Sequence, residues 1–428
     1  MTARAIVPAG GELDATVSVP GSKSISNRAL VCAALADGWC TLDNVADGDD
    51  TVAMLDCLTR LGIEVRQNGQ TVSVRGTGGS LPPGPVVLPT RLAGTTSRFL
   101  TALAALGPGP YIIDGEAPLR ARPMGPLHDA LLALGAVVHP MDRQGHLPVQ
   151  IRAGETPSAR PTLRIRGDVS SQYISALMMI APCLPFGLRI DVTTELVSLP
   201  YVEMTAAVMR SFGVDGVRVG VDADRHWIEV DAGGYRAVDY AVEPDASSAS
   251  YPLAAAAMVG GRVRVRGLVR PSLQSDVRFV EVLASMGCDV TSDVSGTEVR
   301  RTGPLRGVTV DMRDFSDTAP TLSVVAATAS SPTRITGIGF IRSKESDRIG
   351  DVVNELRRCG VDAEAEDDGL VVRPGALHGA SIKTYHDHRI AMSFALLGLV
   401  VPGMEIEDPG VVSKSLPGFW QLLDELSN

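Results

Sequence analysis

Cations set beside small hydroxyl residues recur along this sequence, each group where a helix is expected to begin. Gly21-Ser22-Lys23-Ser24 with Arg28 offers an ammonium, hydroxyls and a guanidinium within about a turn and a half. A helix start carries free backbone N–H groups and the positive end of the macrodipole, so it attracts phosphate and carboxylate. The segment is not a P-loop, because Ser22 stands where a second glycine must precede the lysine. Gly94-Thr95-Thr96-Ser97-Arg98 is a second group, in which Gly94 lets a ligand approach the backbone closely. Arg120 and Arg122, ahead of Pro123, add cations at a third start. Ser170-Ser171-Gln172 and Ser198-Leu199-Pro200-Tyr201 supply neutral donors, which suit a sugar-like phosphate or its hydroxyls.

The second half places carboxylates among the cations. Lys344-Glu345-Ser346-Asp347-Arg348 is followed by Asp387-His388-Arg389 and then by Lys414. A run such as Lys-Glu-Ser-Asp-Arg also has the composition of a capping network with salt bridges. Asp317, in Ser316-Asp317-Thr318 at another helix start, and Glu345 are the carboxylates best placed for acid and base work.

The elements that must position these groups repeat. An amphipathic helix ending in glycine and followed by two short strands recurs with a period of roughly 75 residues, at Gly62, Gly135, Gly213, Gly287 and Gly360. Glycine there suits the left-handed residue that closes a helix. A second kind of helix opens on Ser, Thr, Asp or His and then runs apolar, near Ser22, Ala93, Val169, Ala246, Ser316 and Tyr385. A last helix of the first kind, residues 418–426, begins on schedule without following strands, so the strand-like segments of 3–19 are expected to complete that unit. The pattern predicts an α/β protein of six βαβαββ-like units in two similar three-unit domains. Turn residues at Pro20-Gly21 and Val242-Pro244 mark the crossings, giving a continuous domain over 21–243 and a discontinuous one joining 1–20 to 244–428.

Composition narrows the partners. A chain of 428 residues with 45% apolar content can fill two cores. Residues 1–11 lack the apolar run of a signal peptide, and the apolar stretch 391–401 falls short of the roughly 20 residues that span a bilayer, so a soluble cytoplasmic protein is expected. The six cysteines form no Cys-x-x-Cys pair and read as reduced, buried residues, and the scattered His and Cys show no metal-ligand spacing. A net charge of −10 with 4% aromatics argues against nucleic acid. Small anions, held by local Lys and Arg, remain.

In their order along the chain, Gly21-Ser22-Lys23-Ser24 with Arg28, Leu92-Ala93-Gly94-Thr95, Arg122-Pro123, Ser170-Ser171-Gln172, Ser198-Leu199-Pro200-Tyr201, Lys344-Glu345-Ser346-Asp347-Arg348, Asp387-His388-Arg389 and Lys414 resemble the EPSP synthase family over essentially the whole sequence. The resemblance implies two domains of three βαβαββ units that close over the substrates, with the active site in the interdomain cleft. It implies transfer of the enolpyruvyl group of phosphoenolpyruvate to the 5-hydroxyl of shikimate 3-phosphate, with release of phosphate, in the shikimate pathway. No cofactor and no metal are implied, the protein is expected to be a monomer, and glyphosate is expected to inhibit it.

Carried over by position, the resemblance assigns shikimate 3-phosphate to Lys23, Ser24, Arg28, Ser170, Ser171, Gln172, Ser198, Tyr201, Asp317 and Lys344. It assigns phosphoenolpyruvate to Lys23, Gly94, Arg122, Gln172, Arg348, Arg389 and Lys414, with His388 a further candidate. Asp317 is then the base toward the hydroxyl, Glu345 the acid toward C3, and Lys23 the stabiliser of phosphate. The chain departs from the family at Leu92 and Phe340, where Asn is usual, and at Ser97-Arg98-Phe99, where Met-Arg-Pro is usual. Neither Leu92 nor Phe340 is carried over as a ligand, and these departures loosen the glyphosate expectation.

Two other readings compete. UDP-N-acetylglucosamine enolpyruvyl transferase resembles the same fold, but its characteristic cysteine before an Arg-Pro pair has no counterpart between Glu116 and Arg122. A noncatalytic anion-binding protein on the same repeat would have no use for Asp317 and Glu345 beside the cations.

Overall fold

The helices that open on small polar residues are the ones the chain buries. In the computed structural model, which describes residues 3–155 and 157–427, they run Lys23–Leu35, Gly94–Leu103, Ser171–Ile180, Ala246–Val259, Ala319–Ala326 and His388–Leu397. A helix with apolar residues on every face has no side to give to water, so it lies inside. Gly94–Leu103, Ala319–Ala326 and His388–Leu397 bury every residue. Ser171–Ile180 buries all but Gln172, Lys23–Leu35 all but Lys23 and Ser24, and Ala246–Val259 all but Ser247 and Val259. On these three helices accessibility is almost confined to the first turn, where the polar groups stand.

The other helix of each repeat is amphipathic. Gly350–Arg358 buries Val352, Val353, Glu355 and Leu356 and turns Arg357 and Arg358 outward. The glycines that close this helix and its counterparts, at 62, 135, 213, 287 and 360, have φ of 82°, 89°, 83°, 108° and 82°, a left-handed conformation that a Cβ disfavours.

Each complete sheet has one pattern, an edge strand parallel to its neighbour followed by two antiparallel strands. Val86–Pro89 runs parallel to Tyr111–Asp114, which pairs antiparallel with Val149–Arg152, and that strand pairs with Val137–Pro140. In two sheets the parallel edge comes from distant chain: Asp239–Ala241 lies beside Trp39–Asp43, and Leu13–Val17 beside Gly261–Arg266. The expectation that residues 3–19 complete the last repeat therefore holds only for Arg4–Ala5, which pairs with Glu405–Ile406 next to Ser381–Ile382. Leu13–Val17 goes instead to the sheet of the fourth repeat, whose parallel edge would otherwise stand open.

The chain divides into two units, one spanning Gly21–Val242 and the other taking the residues up to Pro20 and from Glu243 onward. The second break thus falls one residue earlier than the turn signals predict. Val242 N–H donates to Asp43 O at 2.9 Å, whereas the Glu243 carboxylate accepts from Ser272 Oγ at 2.5 Å and from Gln274 Nε2 at 3.1 Å.

Each unit has its own aromatic core, with Phe99, Tyr111, Tyr173 and Phe212 in the first and Tyr251, Phe279, Phe315, Phe394 and Phe419 in the second. Burying one such ring contributes roughly 1.5–3 kcal/mol. In the second unit a hydroxyl ladder, Ser250 to Thr321 at 3.4 Å and Thr321 to Ser393 at 3.2 Å, joins the three buried helices near their starts. The six cysteines are free thiols, and all but Cys183 are buried. Among the described residues no helix is long and apolar enough to cross a membrane.

Candidate active site

In the Gly21–Val242 unit the buried helices bring their first turns into one connected set. Lys23 Nζ pairs with Asp50 Oδ2 at 3.3 Å, and the Asp50 carbonyl accepts from Thr96 Oγ1 at 2.8 Å, which ties the Lys23 start to the Gly94 helix. Gln172 links that helix to the next, since its Nε2 donates to Thr95 Oγ1 at 3.1 Å while its Oε1 accepts from Arg98 Nη1 at 2.9 Å. Ser170 caps the Ser171–Ile180 helix by accepting from Gln172 N at 3.3 Å, and Ser171 is buried behind it. Gly94 lies under two guanidiniums: a Cβ there would stand 2.7 Å from Arg98 Nη1 and 2.8 Å from Arg122 Nη1. The Tyr173 hydroxyl donates to Pro123 O and so pins the segment that carries Arg122.

Arg28 organises the remaining donors. It is 1% exposed, with Nε donating to Thr205 Oγ1 at 2.7 Å, Nη1 to Ser24 O at 2.8 Å, and Nη2 to Ser175 Oγ at 3.2 Å and Tyr201 O at 3.3 Å. Burial pushes its pKa down to about 10. Its nitrogens are all engaged by this chain, so in the described chain Arg28 holds the Ser24 and Tyr201 segments together. Ser198 stands in a left-handed conformation, φ 57°, just ahead of the helix that carries Tyr201.

The other unit carries a carboxylate–arginine network. Arg348, 2% exposed, donates through Nε to Asp387 Oδ2 at 2.7 Å, through Nη1 to Asp317 Oδ1 at 3.1 Å and through Nη2 to Glu345 Oε2 at 2.8 Å. Burial by itself lowers the pKa of a guanidinium, but the charges of Asp387, Glu345 and Asp317 outweigh it here and raise that of Arg348. Arg389 Nη2 takes the second Asp317 oxygen at 2.7 Å. Asp387 also caps the His388–Leu397 helix, accepting from Arg389 N at 2.9 Å. His388 is 1% exposed, with Nδ1 3.7 Å from Asp387 Oδ1.

Lys344 is half-buried, its ammonium 5.7 Å from the centre of the Phe340 ring, and Lys414 is buried at the end of the turn Pro409–Lys414. A cation over an aromatic face is an attractive pairing, so the aromatic residue found where the family usually has Asn has a physical partner. Asp347 fulfils the capping reading of its motif, with Oδ1 accepting from Ile349 N at 3.1 Å and Gly350 N at 3.0 Å.

Asp50, Ser247 and Asp276 were given no role by the sequence, and Asp387 was named in a motif without one. Asp387 belongs to the motif Asp387-His388-Arg389 and Ser247 follows a helix start, so both had a local signal. Asp50 and Asp276 look like ordinary acids near helix starts, and only their packing distinguishes them. Burial and the nearby charge of Asp317 push the Asp276 carboxyl up to about 7. Among the described residues no group of three or more His, Cys, Asp or Glu is placed to hold a metal ion.

Two repeat-built α/β units, one presenting lysine, arginine, hydroxyl and carboxamide donors and the other presenting ionisable carboxylates clamped by arginine, define a class of enzyme that binds small polyanions and moves protons on them. Residues 7–423 match the family model of EPSP synthase (3-phosphoshikimate 1-carboxyvinyltransferase). The chain is 42% identical over 420 residues to the 3-phosphoshikimate 1-carboxyvinyltransferase of Nostoc punctiforme, covering 96% of this chain and 97% of the relative. It is 41% identical to that of Methanoculleus marisnigri, with 96% and 97% covered. An EPSP synthase structure from Acinetobacter baumannii superposes with a TM-score of 0.83 at 25% identity, over 99% of this chain and 97% of that one. The chain belongs to the EPSP synthase family.

Proposed function

We propose that this protein transfers the enolpyruvyl group of phosphoenolpyruvate to the 5-hydroxyl of shikimate 3-phosphate. The reading rests on family membership, and one observation carries its chemistry: Asp317 lies between Arg348 and Arg389 while Glu345 shares Arg348. In the addition step the hydroxyl oxygen bonds to C2, Asp317 takes the hydroxyl proton, and Glu345 gives a proton to C3. In the elimination step C3 returns its proton to Glu345, the C2–O bond to phosphate breaks, and the departing phosphate takes the proton from Asp317. Products and protonation states then balance without a cofactor.

Binding roles follow the donors. Ser170, Ser171, Gln172, Ser198, Tyr201, Ser24 and Lys344 hold shikimate 3-phosphate, with Arg28 fixing Ser24 and Tyr201. Lys23, Arg122, Arg348, Arg389 and Lys414 hold phosphoenolpyruvate, with the Gly94 backbone, Gln172 and His388 as its further partners. Guanidinium forks match carboxylate and phosphate oxygens well. When the substrate carboxylate draws Arg348 and Arg389 toward itself, Asp317 loses ion-pair partners and becomes a stronger base. Substrate binding thereby prepares the base.

Phosphate release is measured with phosphoenolpyruvate plus shikimate 3-phosphate, plus UDP-N-acetylglucosamine, or alone. Release only with shikimate 3-phosphate is the expected result, and release with the nucleotide sugar would replace this reading with the other transferase. We also read the protein as a cytoplasmic monomer that glyphosate inhibits. Elution at the 45.0 kDa mass of one chain checks the oligomeric state.

A further inference from the structure

Asp276 is 4% exposed, lies in the short turn Ser275–Arg278, and has no part in the transfer scheme above. Its Oδ2 accepts a hydrogen bond from Ser247 Oγ, and its Oδ1 is buried without a hydrogen-bond partner among the described residues. Ser247 Oγ also accepts from Arg389 Nη2 at 3.4 Å, and the same nitrogen donates to Asp317 Oδ2 at 2.7 Å. A hydroxyl has one proton to give, so giving it to Asp276 turns the lone pairs of Ser247 toward Arg389. A buried carboxyl with one bare oxygen is far less costly protonated than charged.

We infer that Asp276 and Ser247 are positioning residues for the transfer, setting the Arg389 guanidinium against Asp317 from inside the core, an inference that rests on the function proposed above. Asp317, in the turn Ser316–Thr318, and Asp245, capping the Ala246–Val259 helix, oppose a charge on Asp276, while Arg389 from the His388–Leu397 helix favours one. Arg278, on the same turn as Asp276, pairs with Asp314 at 3.2 Å and with Glu281 at 3.9 Å. Burial and Asp317 dominate, so Asp276 gains its charge near pH 7. That charge pulls Ser247 and Arg389 away from Asp317, and turnover responds.

The test is kcat and KM for phosphoenolpyruvate between pH 5.5 and 9 in the wild type, Asp276→Asn, Asp276→Ala and Ser247→Ala. An amide keeps the shape of the protonated acid and an acceptor for Ser247. Asp276→Asn is expected to lose the inflection near neutrality, and Asp276→Ala and Ser247→Ala to raise KM about 10-fold, as loss of one buried hydrogen bond allows. Asp276→Asn is expected to restore most of the KM lost in Asp276→Ala. Superimposable pH profiles for wild type and Asp276→Asn would overturn the inference alone. A wild type without shikimate 3-phosphate-dependent turnover would instead remove the proposed function and this inference with it.

Discussion

Arg348 meets three carboxylates, and which of them matters for chemistry is a question about single residues. Asp387 is a structural partner, because it also caps a helix, whereas Asp317 and Glu345 are partly accessible, at 23% and 18% of their side chains. Asp317→Asn is expected to lower kcat by about 10²- to 10⁴-fold with a much smaller change in KM, the range typical of a lost general base. Steady-state phosphate release measures it, and near-normal turnover with both substrates bound would reject Asp317 as the base. Gly94→Ala makes a different prediction. The new methyl must displace Arg98 or Arg122, both under 3 Å away, so KM for phosphoenolpyruvate is expected to rise at least about 10-fold. Steady-state kinetics with that substrate varied will tell, and an unchanged KM would mean that the guanidiniums move aside freely.

At the scale of elements, the buried helices are held by polar contacts as well as by apolar packing. Arg28 joins its own helix to those of Ser175 and Thr205, and its removal leaves two hydroxyls and a void in a fully buried place. Arg28→Ala is expected to destabilise the protein by about 3 kcal/mol, the sum of a cavity and lost hydrogen bonds. Arg28→Lys should recover little, since an ammonium lacks the fork that reaches several acceptors at once. Urea unfolding of the two variants checks both statements, and a Lys variant as stable as wild type would show that charge alone suffices. These helices were legible in the sequence because small capping residues followed by apolar runs are local signals. The destination of Leu13–Val17 was not, since a short strand pairs with whichever edge the finished fold leaves open, and that edge belongs to the strand Gly261–Arg266, more than two hundred residues away in sequence.

At the scale of the whole molecule, the net charge of −10 opposes anionic substrates, so their binding depends on local cations. Raising ionic strength from 0.05 to 0.5 M is expected to raise KM for phosphoenolpyruvate a few-fold, because screening weakens those cations at approach. Folding stability carries a second signature. Folding raises the Asp276 pKa from 3.8 to about 7, so the folded chain holds this proton more tightly than the unfolded one. The stabilisation is complete below pH 4 and is lost as pH rises through about 7. Urea unfolding at pH 5 and pH 8 should show wild type losing stability relative to Asp276→Asn, and a constant difference between them would refute it.

From the sequence alone came the repeat, the six buried helices with polar first turns, the break near residue 242, and the set of cations and carboxylates that identified the family. All of these rest on short-range patterns, apolar periodicity and capping chemistry, which each segment carries within itself. Only the tertiary structure decided that Asp387 would serve Arg348, that Arg28 would be enclosed by its own chain, and that Asp276 would sit behind Arg389. Ser247 and Arg389 stand 142 residues apart. The charge state and partners of such groups depend on how completely the assembled core excludes water from them, and no local stretch of residues contains that information.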